Sequence, residues 1–299
     1  MAGLLRTALV TPWVVTERDV LHWQDVPARA RRAVWVALEE GEIVGFADGQ
    51  VRWEVSEEGV CEFWAAVDPG YRRRGIGSEL FEAVWSHLLD LGARVVQSWA
   101  EEDEGKLFLL ARGFSEVRQE RISSVDPRTI DFAHLSSLEA AKGEEGFRAV
   151  PLGQALDRPR DLFELYMFGE ADMPGVFVED NIAFDEWEQE TLAAPSLDHE
   201  GSFIVVLGER PVAIAWLEVD REGGRANNEM TATAPEFRRR GLARLAKLAS
   251  MRWAAELGIT SVLTSNDREN PGMLALNDSL GYRPLAVRGI FVRKMAQAD

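Results

Sequence analysis

Apolar and polar residues alternate along 34–55 and are interrupted by Glu39-Glu40-Gly41, which predicts a strand-turn-strand hairpin. The run CEFWAAV at 61–67 predicts a further strand. Ile76, Leu80, Phe81, Val84, Trp85 and Leu88 keep the spacing of one helix face. A strand at 93–100 and a short helix around 104–112 follow. The same order then returns. A hairpin is predicted over 202–219 and a strand over 228–234. Leu242, Leu245, Ala246, Ala249 and Trp253 mark one helix face, before a strand at 259–265 and a helix at 271–280. Strands mixed with helices, in one order twice, predict a duplicated α/β (α+β) unit.

The residues themselves repeat. Residues 67–77 read VDPGYRRRGIG and 233–243 read TAPEFRRRGLA, 166 positions apart. Gly113 of RGF and Gly281 of LGY lie 168 apart. A period this long excludes a solenoid of short repeats. The polar stretch 130–148 predicts the join, as a linker or a short helix. That gives two expected domains, 1–140 and 141–299.

In each copy a strand runs through a basic, glycine-containing turn into a helix. The first turn of a helix leaves backbone N–H groups unpaired, and with the helix dipole these make an anion site. Gly75 and Gly77, or Gly241 and Ala243, let a bulky anion approach the backbone. Arg72, Arg73 and Arg74, and Arg238, Arg239 and Arg240, add charge suited to phosphates. Neither turn has the spacing of a nucleotide-hydrolysing P-loop or of a dinucleotide fingerprint.

Composition removes other classes. The chain of 299 residues carries 33 Lys+Arg against 50 Asp+Glu, a net charge of -17, which argues against nucleic acid as a partner. One cysteine, Cys61, cannot form an internal disulfide. The four histidines show no ligand spacing, so no metal is expected. No run approaches the ~20 apolar residues of a membrane span, and the start lacks a signal peptide's pattern. A soluble, cytoplasmic protein with no membrane partner is the expectation. The acidic stretch 157–190 reads as a solvated face, or as a surface attracting a cationic amine.

The turns resemble those of the GNAT acetyltransferase superfamily, whose pattern is [RQ]-x-x-G-x-[GA]. Arg72-Arg73-Arg74-Gly75-Ile76-Gly77 and Arg238-Arg239-Arg240-Gly241-Leu242-Ala243 both fit it. The second half is most similar to tandem bacterial members of that superfamily. It carries Thr231, Pro235, Arg238, Arg239 and Gly241, then Thr264, Asn266, Asn270, Met273, Asn277, Leu280 and Gly281, at their spacing. The resemblance implies two tandem GNAT-like domains, each a mixed, mostly antiparallel central sheet flanked by helices. It implies acetyl-CoA as cosubstrate, held by the turn amides together with Ser78 and Arg244. By the same carry-over, strand-end backbone at Ala66-Val67 and at Ala232-Thr233 serves the pantetheine and the thioester carbonyl.

Amine attack on a thioester needs a neutral amine, a stabilised oxyanion and a proton for the thiolate. The superfamily often takes that proton from a Tyr four residues before Gly-Phe. That place holds Leu109 in the first half and Asn277 in the second. No Tyr stands in either place, so the general acid is left open and water can protonate the thiolate. The candidate catalytic residues are Asn277, at that place, and Glu229 as base, placed by alternation on the face of Thr231 and Thr233. Glu62 in the first half stands one residue off the aligned position. Asn270 precedes Pro271 and reads as a helix N-cap or as a CoA contact. The expectation is an N-acetyltransferase acting on a primary amine of a small acceptor, with its chemistry in the second half. The alternative is a non-catalytic acyl-CoA-binding or sensing protein. A two-unit chain is expected to be a pseudo-dimeric monomer or a loose homodimer.

Overall fold

A computed structural model describes residues 1–9 and 11–295. The chain forms two compact units that are not contiguous in sequence. The first takes Met1–Glu120, Val176–Ile182 and the chain from Ala286 onward; the second takes Arg121–Gly175 and Ala183–Leu285.

The first unit opens with α1 (Ala2–Ala8) and α2 (Glu17–His22). Thr16 and Asp19 form a reciprocal capping box at the start of α2. The hairpin β1 (Ala33–Glu39) and β2 (Glu42–Val51) follows, then β3 (Val60–Val67) and α3 (Ile76–Asp90). Next come β4 (Val95–Ala100), α4 (Asp103–Leu110) and β5 (Ser115–Val125), whose last residues belong to the second unit. The strand order is β1-β2-β3-β4, and beside β4 lies β11 (Arg283–Lys294), antiparallel from Gly289↔Ala100 to Lys294↔Val95. The face of α3 read from the sequence is the buried one: Leu80, Phe81, Val84 and Leu88 meet Phe63, Val96 and Phe291 in one core.

The second unit begins with α5 (Ala133–Glu144), the helical alternative for 130–148. It continues through β6 (Phe147–Pro151), α6 (Pro159–Asp172) and α7 (Phe184–Trp187). β7 (Phe203–Leu207), β8 (Arg210–Asp220) and β9 (Arg225–Thr233) lead to α8 (Leu242–Glu256). β10 (Ser261–Asp267) and α9 (Pro271–Ser279) complete it. Its strand order is β10-β9-β8-β7-β6. Leu242, Leu245, Ala246 and Met251 of α8 pack on Ala213, Ala215 and Leu217 of β8. Trp216, on the opposite face of β8, stacks on Tyr166 of α6 at 5.5 Å. Helices therefore cover both faces of this sheet.

Among the described residues each unit contains one parallel strand pair, and each pair opens like a fork. β3 and β4 pair at Val60↔Val95, Cys61↔Val96 and Glu62↔Gln97. β9 and β10 pair at Arg225↔Ser261, Ala226↔Val262 and Asn227↔Leu263. Beyond those pairs the strands part. The far end of β9 is held by β8 along one edge, and its other edge turns its backbone polar groups toward the opening.

Candidate active site

The two turns have one backbone geometry. Arg73 and Gly75 take φ of 64° and 95°, and Arg239 and Gly241 take 62° and 79°, all left-handed. In both turns an extended arginine, Arg72 or Arg238, precedes the first left-handed residue, so the two loops share one course into their helices. Gly75 and Gly241 are the N-cap residues of α3 and α8, each fifteen residues long, and neither helix has a side-chain cap. The Ser78 N–H donates to the Gly75 carbonyl at 2.9 Å, which leaves Ile76 and Gly77 in α3, and Leu242 and Ala243 in α8, as the uncapped N–H groups at the helix starts. A Cβ built on Gly241 meets no atom within 4 Å, and on Gly75 only Glu79 Oε1 at 3.9 Å, so the space above each turn is open.

Of each arginine triplet, two members already have partners. Arg72 Nε donates to the Val67 carbonyl at 3.2 Å, and Arg238 Nε donates to the Thr233 carbonyl at the same distance. Arg72 also pairs with Glu102 at 2.6 Å, and Arg238 with Asp172 at 2.5 Å. Both first arginines therefore brace the strand end against the turn. Arg74 donates to the Gly70 carbonyl and lies over the Tyr71 ring; Arg240 pairs with Glu145 at 2.6 Å and lies over Phe147. The middle residues, Arg73 and Arg239, project into solvent. Leu242 sends its side chain into the core, so it offers a ligand only its backbone. Ser78 accepts from Arg112 at 2.9 Å, and Arg244 donates to Ser279 at 2.9 Å. In each unit this ties the first turn of the long helix to the end of the next one. Gly77 and Ala243 stand in those first turns; a Cβ on Gly77 would meet Val67 at 3.6 Å and Phe108 at 3.7 Å.

The second fork carries a bulge. Ala215 pairs with Thr231 and Leu217 with Asn228, so Trp216 opposes both Glu229 and Met230. Asn228 pins it: Nδ2 donates to the Trp216 carbonyl at 2.7 Å and to the Met230 carbonyl at 3.3 Å, and Oδ1 accepts from Thr231 at 3.0 Å. Thr264 of β10 donates to the Asn228 carbonyl at 3.1 Å. Past the bulge, Glu229, Thr231 and Thr233 are each more exposed than Met230 and Ala232, which alternate with them. Counted from the fork, Glu229 stands two residues past Asn227, and Ser265 two past Leu263. Glu229 is exposed between buried Asn228 and Met230. Met230 and Ala232 lie against α6, where a Cβ on Gly169 would fall 2.7 Å from Met230 Sδ and 3.0 Å from Ala232.

The same two places in the first fork hold Trp64 and Trp99. Their rings stack at 5.4 Å across the opening. The Arg288 guanidinium covers Trp99 at 4.4 Å, and Glu101 accepts from Arg288 at 3.0 Å and from Trp13 Nε1 at 3.0 Å. Aromatic rings fill this side of the first fork.

On the α8 side of the second fork, Asn277 is fully buried. Its Oδ1 accepts from Lys247 at 2.7 Å and its Nδ2 donates to Asn266 at 2.6 Å. Asn270 caps α9, its Oδ1 accepting from the Met273 N–H at 3.1 Å. Lys247 escaped the sequence reading; its signal was a lysine in the middle of an apolar helix stripe.

A family model described as Acetyltransferase (GNAT) family matches residues 3–114 and again 161–282. A mycothiol acetyltransferase of Thermobispora bispora is 24% identical over 230 residues, covering 72% of this chain and 70% of that protein. One from Saccharomonospora viridis is 25% identical over 261 residues, covering 81% and 76%. Among solved structures, a tandem GNAT protein from the clavulanic acid biosynthesis pathway superposes with a TM-score of 0.75 at 18% identity, covering 100% of this chain and 94% of that one. A GCN5-related N-acetyltransferase from Sphaerobacter thermophilus gives 0.67 at 17% identity, covering 98% and 91%.

Proposed function

The chain belongs to the GNAT acetyltransferase family, and from that premise we propose that it moves an acetyl group from acetyl-CoA to a primary amine, with the chemistry in the second unit. The observation that carries the assignment to this unit is the contrast at the forks. Exposed Glu229 and partly buried Ser265 stand in the second where stacked Trp64 and Trp99 stand in the first.

The turn before α8 suits the CoA pyrophosphate, with Gly241, Leu242 and Ala243 N–H groups as donors and Arg239 as the solvent-facing cation. The open edge of β9, including Ala232 and Thr233, suits the pantetheine and the thioester carbonyl. In the transfer, the amine lone pair forms a C–N bond with the acetyl carbon. The C–S bond breaks and sulfur takes the electron pair. Glu229 accepts the ammonium proton through water, and solvent protonates the thiolate. The oxyanion that forms between these steps is stabilised by fixed backbone donors.

The first unit keeps the turn but not the acceptor space, which supports CoA binding there without transfer. Two relatives carry the name mycothiol acetyltransferase, so a mycothiol-type acceptor is first in any panel, with other small primary amines behind it. The chain is taken as a monomer or loose homodimer. The test is release of free CoA thiol from acetyl-CoA on adding each amine. A release that depends on the amine, and that vanishes in Gly241→Asp but survives in Gly75→Asp, supports the reading. Amine-independent or absent release across the panel removes it.

A further inference from the structure

Lys247 lies midway along α8 with 1% of its surface exposed. Burial pushes its titration down to about 7, and among the described residues its ammonium makes no ion pair. Its neighbours are the Asn277 amide and the Tyr282 ring, whose centroid is 5.1 Å from Nζ. The Tyr282 hydroxyl is itself buried against Met251 Sδ at 3.6 Å, and burial holds it protonated. In its ammonium form Lys247 can only donate. It therefore turns the Asn277 oxygen toward itself and the Asn277 NH₂ toward Asn266. That second bond in turn fixes the Asn266 oxygen and leaves its NH₂ as the outer donor of the chain. Asn266 stands three residues past the last paired residue of β10, Leu263, on the arm of the fork. It shares a face with Val262, which packs in the core with α8.

We propose that Lys247, acting through Asn277 and Asn266, is a positioning residue that directs the polarised outer N–H of Asn266, on β10, at the thioester sulfur, where α9 carries Asn277 in place of a hydroxyl acid. This rests on the acetyl-transfer reading above. A buried ammonium without a counter-charge is costly, and two neutral partners do not offset that cost. The charge that complements it is the one that develops on sulfur as the C–S bond breaks. Lys247 keeps its proton throughout; the electron pair goes to sulfur, and solvent later protonates the thiolate. A proton held near neutrality is firmly retained once a thiolate forms beside the donor chain, because opposite charges favour each other's ionised states.

The test reads the acidity of the bound CoA thiol by its ultraviolet thiolate absorbance, with CoA alone as the probe and no acceptor. All proteins carry Gly75→Asp, so that only the second unit's turn is loaded. With Lys247 and Asn277 intact, the bound thiol should titrate about one unit below the free value of about 8.5, a tenfold gain in acidity. Lys247→Met keeps the stem and removes the charge. Asn277→Asp keeps the hydrogen bond to Lys247 but cancels the ammonium with a carboxylate. Both should return the thiol toward the free value while CoA still binds. A purely structural bridge makes the opposite forecast for Asn277→Asp, a firmer bridge and an unmoved thiol. A bound thiol that titrates like free CoA, or identically in all three proteins, overturns this inference alone. Absence of CoA binding in calorimetry overturns the acetyl-transfer reading and this inference with it.

Discussion

The side-chain amide of Asn228 donates to the Trp216 carbonyl at 2.7 Å, across the bulge that sets Glu229 at the mouth of the second fork. The same NH₂ reaches the Met230 carbonyl, and Thr231 satisfies the remaining oxygen. A fully satisfied buried amide of this kind holds an irregular backbone in one shape. Asn228→Asp turns two donors into acceptors facing carbonyls, and Asn228→Ala leaves those carbonyls without a partner. Each change should cost about 1–3 kcal/mol in denaturant unfolding. In acetyl transfer the loss should fall on kcat rather than on the KM for acetyl-CoA, because the turn before α8 is untouched. An unchanged kcat in a folded Asn228→Ala protein would remove the bulge from the catalytic argument.

The two turns should bind CoA independently. Calorimetry on the parent protein is expected to give two sites per chain. Gly75→Asp and Gly241→Asp should each remove one, since either change sets a carboxylate where a pyrophosphate needs N–H donors. Both glycines have left-handed backbone, at φ 95° and 79°, a region that Asp tolerates better than most residues. The variants should therefore stay folded. A stoichiometry of one in the parent protein sinks the two-site reading, and the surviving variant names the site that binds.

Much of this site was legible because it depends on local sequence. A strand, an Arg-Arg-Arg-Gly turn and an apolar helix face occur together in 67–88 and 233–253, and each follows from short-range chemistry. The Asn270 cap was legible for the same reason, since Asn before Pro is a local signal. What depends on distant partners was not. The bulge at Glu229 arises from Asn228 reaching a carbonyl on β8, and nothing in NNEMTAT announces it. From Glu229 to Thr233 exposed and buried positions do alternate, but the register from which that alternation starts is set by the bulge and could not be read locally. The braces on Arg72 and Arg238 come from Glu102 and Asp172, thirty and sixty-six residues away along the chain. Nor could a linear reading place the strand from Ala286 onward in the first unit, because its partner β4 lies far upstream.

The first unit contains a second titrating feature. Glu54 is pushed up to about 8, first by burial and then by the nearby Glu62 carboxylate, against the opposing pull of Arg52. Arg52 itself pairs with Glu179 from the segment Val176–Ile182. A carboxyl whose folded pKa lies above its unfolded value binds more protons in the fold. Its contribution is full below about 4.5 and is lost as pH rises through about 8. Urea unfolding should show stability falling between those limits, and Glu54→Gln should flatten the fall. If the parent protein and Glu54→Gln keep the same slope across that window, Glu54 is ionised in the fold like any surface carboxylate.

Glu229 is the residue on which the catalytic reading turns. It stands two residues past the fork on β9, beside the bulge, exposed between two buried neighbours. Its counterpart position in the first unit is taken by Trp64, stacked on Trp99, so a carboxylate there belongs to the second unit alone. On the proposed reading, a base at this point takes the proton of the incoming amine directly or through one water. Glu229→Gln keeps the shape and removes the basicity, and loss of general-base catalysis is typically worth ~10²–10⁴ in rate. The expected outcome is a fall of that size in kcat/KM for the amine, with the binding of acetyl-CoA unaltered. The pH profile discriminates further. The parent rate should rise as the carboxylate becomes ionised, and Glu229→Gln should lose that limb while keeping the rise due to the acceptor's own deprotonation. Should the variant match the parent in both rate and profile, the amine arrives already neutral, and Glu229 serves β9 as an exposed bulge residue only.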